Sequence, residues 1–297
     1  MNRSSCHQRR SLLGLLLGMC LPRSYAASAP VFSVQTESSL AHGMALLHAA
    51  LRAAGFPANL ANAPHASEAR NLHEITVGRI HINMLPASPE RLALVEAGRL
   101  RMIPVPLERG LLGWRTSFVP QGRQEQFAHI RNLEDLRTLT VGQGVGWKDL
   151  EIYRAAGIAT RELQAWRNGE FVAQMMNGVI DLFPMGLEES LSYFLPYFRE
   201  RHLQLMLDKT LLLHYPWHRF VWVSPHSDAD ELYHALQEGF DIICNNGTFE
   251  ATWNQTRRAP PADSWQGRTV IRLENPFYSP DIVPQRYQHL LLRPDIS

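Results

Sequence analysis

Strand-like and helix-like segments alternate from residue 31 to about residue 256, and this alternation confines the chain to an α/β architecture. Residues 31–34, 80–84, 101–106 and 113–119 read as strands. Between the first two, Leu40, Met44, Leu47 and Leu51 keep the spacing of one helix face, which Gly55 ends. Ser88-Pro89 is a cap followed by proline at the first helical position, opening a helix that runs to about residue 98. A second unit begins near Gln121. It holds strands at 139–142 and 181–184 and helices at 150–156, 168–178 and 188–194. A long strand-like run at 211–224 follows, interrupted by Pro216. Leu232, Leu236, Phe240 and Ile243 line one face of a helix opened by Ser227 and Asp230. After a short helix around 248–256, the tail from 257 is rich in proline and polar residues, with one strand-like piece at 269–273, and is expected to drape over the surface.

The middle unit is flanked by two units without ends of their own. The pattern predicts two lobes, each a mixed sheet flanked by helices: a discontinuous lobe of 27–118 plus 225–297 and a continuous lobe of 119–224. Two strands would cross between them, near 113–119 and 214–222. Ligands in such architectures bind in the interlobe cleft, at strand carboxyl ends and helix N-termini.

Residues 1–26 have the make-up of a secretory signal peptide. Arg3, Arg9 and Arg10 precede an apolar core at 12–21, and Ser24-Tyr25-Ala26 is a small-x-small cleavage site. That core is shorter than the ~20 apolar residues of a membrane span. The mature chain is therefore expected to be periplasmic. Arg9-Arg10 before Ser-Leu-Leu leaves the twin-arginine route open, and Cys20 a lipid anchor, although Met19 is large for the residue before a lipidated cysteine. Loss of the signal removes Arg3, Arg9, Arg10 and Arg23 and no acid, so 29 basic against 28 acidic groups become 25 against 28, a net −3. That balance argues against a nucleic-acid partner. Cys6 and Cys20 leave with the signal, so Cys244 has no intramolecular disulfide partner. The 12 remaining histidines form no HExxH or comparable cluster, there is no GxSxG, and no metal or cofactor is expected.

The richest local feature is Val141-Gly-Gln-Gly-Val-Gly-Trp-Lys-Asp149, a glycine-rich turn between a strand and a helix. Such a turn presents backbone N–H groups at a positive helix end, where an anion or carboxylate can sit. It matches neither GxxxxGK[ST] nor GxGxxG, so it is not read as a phosphate loop.

Ser88-Pro-Glu-Arg91, Leu111-Leu-Gly-Trp-Arg115, Gly142-Gln-Gly-Val-Gly-Trp-Lys-Asp149, Phe183-Pro-Met-Gly186 with Glu188 or Glu189, Asn246-Gly-Thr-Phe249 and Leu273-Glu-Asn-Pro276 occur in that order. Together they resemble segments of exported solute-binding proteins related to the polar-amino-acid-binding components of ABC transporters, which have the type II periplasmic-binding fold. The resemblance spans roughly residues 30–280. It implies that Arg91 grips a ligand carboxylate. It departs from the family pattern at Met185, where a basic residue is expected, and at Asn246, where an aspartate is usual.

The expected ligand contacts are Glu37, Ser88, Arg91, Trp114, Arg115, Gln143, Gly144, Trp147, Lys148, Asp149, Met185 and Glu188. Most have a structural alternative. Arg91 could be an exposed helix residue, Arg115 could pair with an interlobe acid, and Trp114 could be core. The glycines could serve only a tight connection, Lys148 and Asp149 could be plain first-turn residues, and Glu37 or Glu188 could face solvent. The resemblance implies a monomeric, non-enzymatic binding protein that captures a small polar or carboxylate-bearing, amino-acid-like ligand. It would close on that ligand for delivery to a membrane permease. Two alternatives are a sensor partnering the outer domain of a membrane receptor, and an exported dehydratase using Glu188, Lys148 or Asp149 as acid or base.

Overall fold

The computed structural model describes residues 29–36, 38–64 and 67–293; the expected signal peptide at 1–26 and the expected contact Glu37 lie outside them. The strands in chain order are β1 (Val31–Gln35), β2 (Asn59–Ala63), β3 (Ile82–Pro86), β4 (Arg101–Ile103), β5 (Trp114–Pro120) and β6 (Thr140–Gly144). Then come β7 (Ala159–Leu163), β8 (Phe183–Gly186), β9 (Leu205–Leu207), β10 (Leu211–His214), β11 (Arg219–Val223) and β12 (Thr269–Arg272). The helices are α1 (Ala41–Ala53), α2 (Glu68–Thr76), α3 (Pro89–Glu96), α4 (Leu133–Leu136) and α5 (Asp149–Ala155). They continue with α6 (Glu170–Met176), α7 (Leu187–Glu189), α8 (Leu195–Glu200), α9 (Asp230–Asn245) and α10 (Thr248–Thr256).

Two sheets form two lobes. The first has the order β2-β1-β3-β11-β4, with β1 parallel to β2 and β3 and with β11 antiparallel to β3 and β4. Helices α1 and α2 make the long connections that parallel strands require. The second has the order β12-β10-β5-β8, with β9 on β5. The parallel pair β6-β7 joins it through a bridge between Val141 and Leu182. Each sheet has its own apolar core, one around Val34, Leu46, Phe240 and Trp253 and one around Phe118, Phe171, Phe183 and Phe198. In the first core α1 and α9 touch at Gly239, where an added Cβ would lie 2.0 Å from Ala50 O.

The strands partition differently from the expected ranges. The run at 211–224 splits, because Pro216 breaks the ladder and 215–218 cross between lobes. β10 then belongs to the second sheet, but β11, inside the expected 119–224 lobe, belongs to the first. β5 lies wholly in the second sheet, so a boundary after 118 would cut it. The tail does more than cover the surface. β12 pairs in parallel with β10, Arg268 Nη1 donates to Thr116 Oγ1 at 3.0 Å, and Val283, Tyr287 and Leu290 enter the first core. The tail therefore ties the two lobes together. β2 and α2 were not expected, since β2 is an edge strand with no apolar alternation. Among the described residues no helix is long and apolar enough to cross a membrane.

Gly239→Ala must force α1 and α9 apart. It is expected to lower stability by about 1–3 kcal/mol, read as a drop in the thermal midpoint.

Candidate functional site

A cavity of about 380 Å³ lies between the two sheets, at the carboxyl ends of β1 and β3. Its first-lobe wall includes Gln35, Asn83 and the opening turn of α2. Gln35 and Asn83 are register partners in the parallel pair β1–β3, so their side chains share a face of the sheet. Both are buried, at 6% and 1% exposure. Gln35 Nε2 donates to Pro64 O at 3.4 Å. Among the described residues, Gln35 Oε1 and both amide atoms of Asn83 meet no hydrogen-bond partner. Buried amide atoms in that state are costly, and the site must answer for them.

The second-lobe wall is the glycine-rich turn, with β5 and β8 behind it. Gly146 takes φ +75°, which turns the chain from β6 towards α5. A Cβ on Gly144 would meet three ring atoms of Trp147 at 2.6, 2.8 and 2.9 Å, so the indole lies flat on Gly144. Asp149, the first residue of α5, accepts from Arg115 Nη2 and, at 2.6 Å, from the Tyr215 hydroxyl. Arg115 Nε also donates to the Tyr215 hydroxyl at 2.7 Å. Burial pushes the Tyr215 phenol well above its ordinary value, against the pull of Arg115, so it stays a neutral donor. Lys148 Nζ reaches Glu90 on α3 at 2.7 Å and Glu151 at 2.9 Å, joining the turn to the first lobe. Partial burial would raise Glu90, but the Lys148 hydrogen bond prevails and holds it at about 2.

A buried ion cluster backs the cavity. Arg219 Nε donates to Glu108 at 2.6 Å and Nη2 to Glu189 at 3.2 Å, while Nη1 donates to Met84 O at 3.3 Å. Burial alone would raise Glu108; the Arg219 charge and the His42 imidazole overcome it and hold the carboxyl at about 2.

Of the expected contacts, Arg115, Trp147, Lys148, Asp149 and Met185 line the cavity. Ser88, Arg91, Trp114, Gln143, Gly144 and Glu188 are not part of its lining. Ser88 caps α3 through Arg91 N at 3.3 Å. Arg91 is buried, and its Nη1 donates to Glu68 at 2.9 Å and to Pro86 O at 3.2 Å. Trp114 packs against His214 with ring centroids 4.1 Å apart and planes tilted by 44°. Gln143 Nε2 donates to Pro184 O at 2.6 Å, bracing β6 on β8. Gly144 seats Trp147. Glu188 accepts from Arg257 Nη1 at 2.7 Å and from Ser192 Oγ at 2.6 Å, inside the ion cluster. Residues that sequence reasoning missed include Gln35, Glu68, Asn83, Trp166 and Arg219. Asn83 carried a signal, as an amide inside the apolar strand pattern Ile82-Asn83-Met84.

No protein-family model matches the chain, and no curated protein does. Solved structures do match at the level of fold. An amino acid ABC transporter substrate-binding protein from Streptococcus pneumoniae bound to L-arginine aligns at a TM-score of 0.51 and 14% identity, over 77% of this chain and 95% of that one. The GluR0 ligand-binding core in complex with L-glutamate aligns at 0.56 and 10% identity, over 78% and 99%. AncCDT-1, an ancestral amino-acid-binding protein and precursor of cyclohexadienyl dehydratase, aligns at 0.51 and 12% identity, over 77% and 96%. The chain has their two-lobed, type II periplasmic-binding fold.

Two outcomes follow from this geometry. The Glu108 contribution to stability is full above pH 4.5 and is lost as pH falls from 4.5 towards about 2, because its carboxyl is depressed in the folded state. Thermal midpoints measured across that window should fall, and the fall should shrink in Glu108→Gln. That variant should also lose about 1.5–3 kcal/mol at neutral pH, because it removes one of the two carboxylates paired with Arg219 and leaves Glu189 alone to balance it. Gly144→Ala must lift Trp147 from its seat, which should alter the near-UV circular dichroism of the indole and cost about 1–3 kcal/mol.

Proposed function

We propose that this chain is an exported solute-binding protein that captures a small polar, amino-acid-like ligand between its lobes and closes on it. The observation that carries the reading is the Asn83 amide. Asn83 is buried in the cavity lining, and neither the donor nor the acceptor of its amide is matched among the described residues. A ligand offering one acceptor and one donor would satisfy both atoms, and a further ligand donor would satisfy the unmatched Gln35 Oε1 on the neighbouring strand. In this reading Arg115, Trp147, Lys148, Asp149 and Met185 form the opposing jaw. Contacts from both jaws then favour the closed form.

The reading favours capture over catalysis. Asp149 is tied to Arg115, and Glu189 to Arg219, so the carboxylates of these two lining residues are engaged in ion pairs. An amino-acid-like ligand agrees with the L-arginine and L-glutamate held by the structures of like fold. The bound solute would pass to a membrane permease from the periplasm. In a second reading, the same closure signals to the outer domain of a membrane receptor instead of feeding a permease.

A thermal-shift screen of the mature chain against amino acids, small carboxylates and amines tests the proposal. A true ligand at a hundredfold excess over its Kd should stabilise the protein by about 2.7 kcal/mol. Asn83→Leu should leave the ligand-free protein at least as stable, since it removes two unsatisfied atoms, and should abolish the shift. A shift of unchanged size in Asn83→Leu would remove the Asn83 assignment.

A further inference from the structure

Resting on the capture reading, we infer that the ligand carries an aromatic ring, seated against the indoles of Trp147 and Trp166. The two indoles both line the cavity, with centroids 5.0 Å apart and planes at 68°. Phe194, also in the lining, lies 5.6 Å from Trp166. Behind them Phe171 and Phe183 are fully buried, whereas Trp147 is only partly buried and its neighbour Val145 is 45% exposed. The indole of Trp147 is therefore the surface layer of this aromatic stack. Its plane is fixed rather than adaptable, because Gly144 supports one side of it.

The charges around this wall narrow the class. Arg115, Asp149, Lys148 and Glu189 are held in ion pairs within the protein. Arg167 lines the cavity with its guanidinium 4.5 Å from the Trp166 centroid. A cationic side chain would have to displace Arg167 from that ring and would meet Lys148 on the same wall. A neutral ring has neither conflict, and offset or edge-to-face contact with two indoles is the arrangement aromatic groups prefer. The polar end of the ligand would then face Gln35 and Asn83 across the cavity.

The test is a calorimetric titration of the mature chain with L-phenylalanine, L-tyrosine, L-tryptophan and benzoate against L-arginine, L-glutamate and L-glutamine. At least one aromatic probe should bind about tenfold more tightly than every aliphatic one. In the unmodified protein, the ring protons of that probe should shift upfield in the NMR spectrum on binding. Trp147→Leu should weaken it by about tenfold and Trp147→Phe by less than about threefold. Tightest binding by an aliphatic probe, or an aromatic probe that binds without ring-proton shifts, would overturn the inference and leave the capture reading standing. Binding by none of the probes, nor by any compound of the wider screen, would remove the capture reading and this inference with it.

Discussion

Arg219 is the joint on which the two lobes depend. It stands at the start of β11, just after the second crossing of the chain between lobes. Its guanidinium is nearly enclosed, and a buried charge is tolerated only where partners surround it. Those partners come from three places: Glu108 ahead of the first crossing, Glu189 in α7 of the second lobe, and the backbone of β3. Joined to this cluster through His42, which also meets Glu108, Arg257 at the end of α10 holds Glu188, the ring of His42 and the carbonyl of Ser39. Consecutive glutamates of α7 are thus fixed to the first lobe by two arginines. Moving α7 would strand charges at both, which fixes the end of β8 and with it the position of Met185 in the cavity.

The contact between Lys148 and Glu90 also joins the lobes, but its physics differs. Glu90 is about half exposed, and an exposed pair is screened and contributes little. Under the proposed capture, the buried cluster would serve as the permanent joint and the exposed pair as the contact that can open and close. Both use up formal charge. What the cavity retains for a ligand is the neutral amides on one wall and aromatic surface on the other. Selectivity of that kind works through buried polar atoms left unmatched by a wrong ligand, more than through net charge.

The alternation of strands and helices was legible because burial on a sheet or a helix face leaves a period in the sequence, as in Ile80-His-Ile-Asn-Met84 and Leu232-Leu236-Phe240-Ile243. The edge strands β2 and β7 were not, since their largely exposed faces need no such period. The fate of Arg91 turned on this gap. The sequence shows an arginine three residues after a serine cap, and whether it meets a ligand or Glu68 depends on α2, an element that the pattern did not reveal. Glu188 and Glu189 illustrate a second limit. They are neighbours on one helical turn, about 100° apart. One points to Arg257, the other to Arg219 at the cavity, and nothing local tells them apart.

Met185 connects the sequence departure to the character of the site. The resembling family leads one to expect a basic side chain there, yet the thioether is buried at 3% exposure, opposite Thr116 in the β5–β8 register, and lines the cavity. A cation at this position would join Arg115, Lys148 and Arg167 on one wall, and its pairing would require either another acid or an anionic ligand. Methionine removes that requirement. Its flexible, polarisable side chain belongs to the same apolar cluster as Trp166 and Phe194, and thioether contacts with aromatic rings are favourable. Under the proposed capture, methionine here would move recognition at this wall from ion pairing to packing, in the same direction as the paired state of Arg115 and the fixed plane of Trp147.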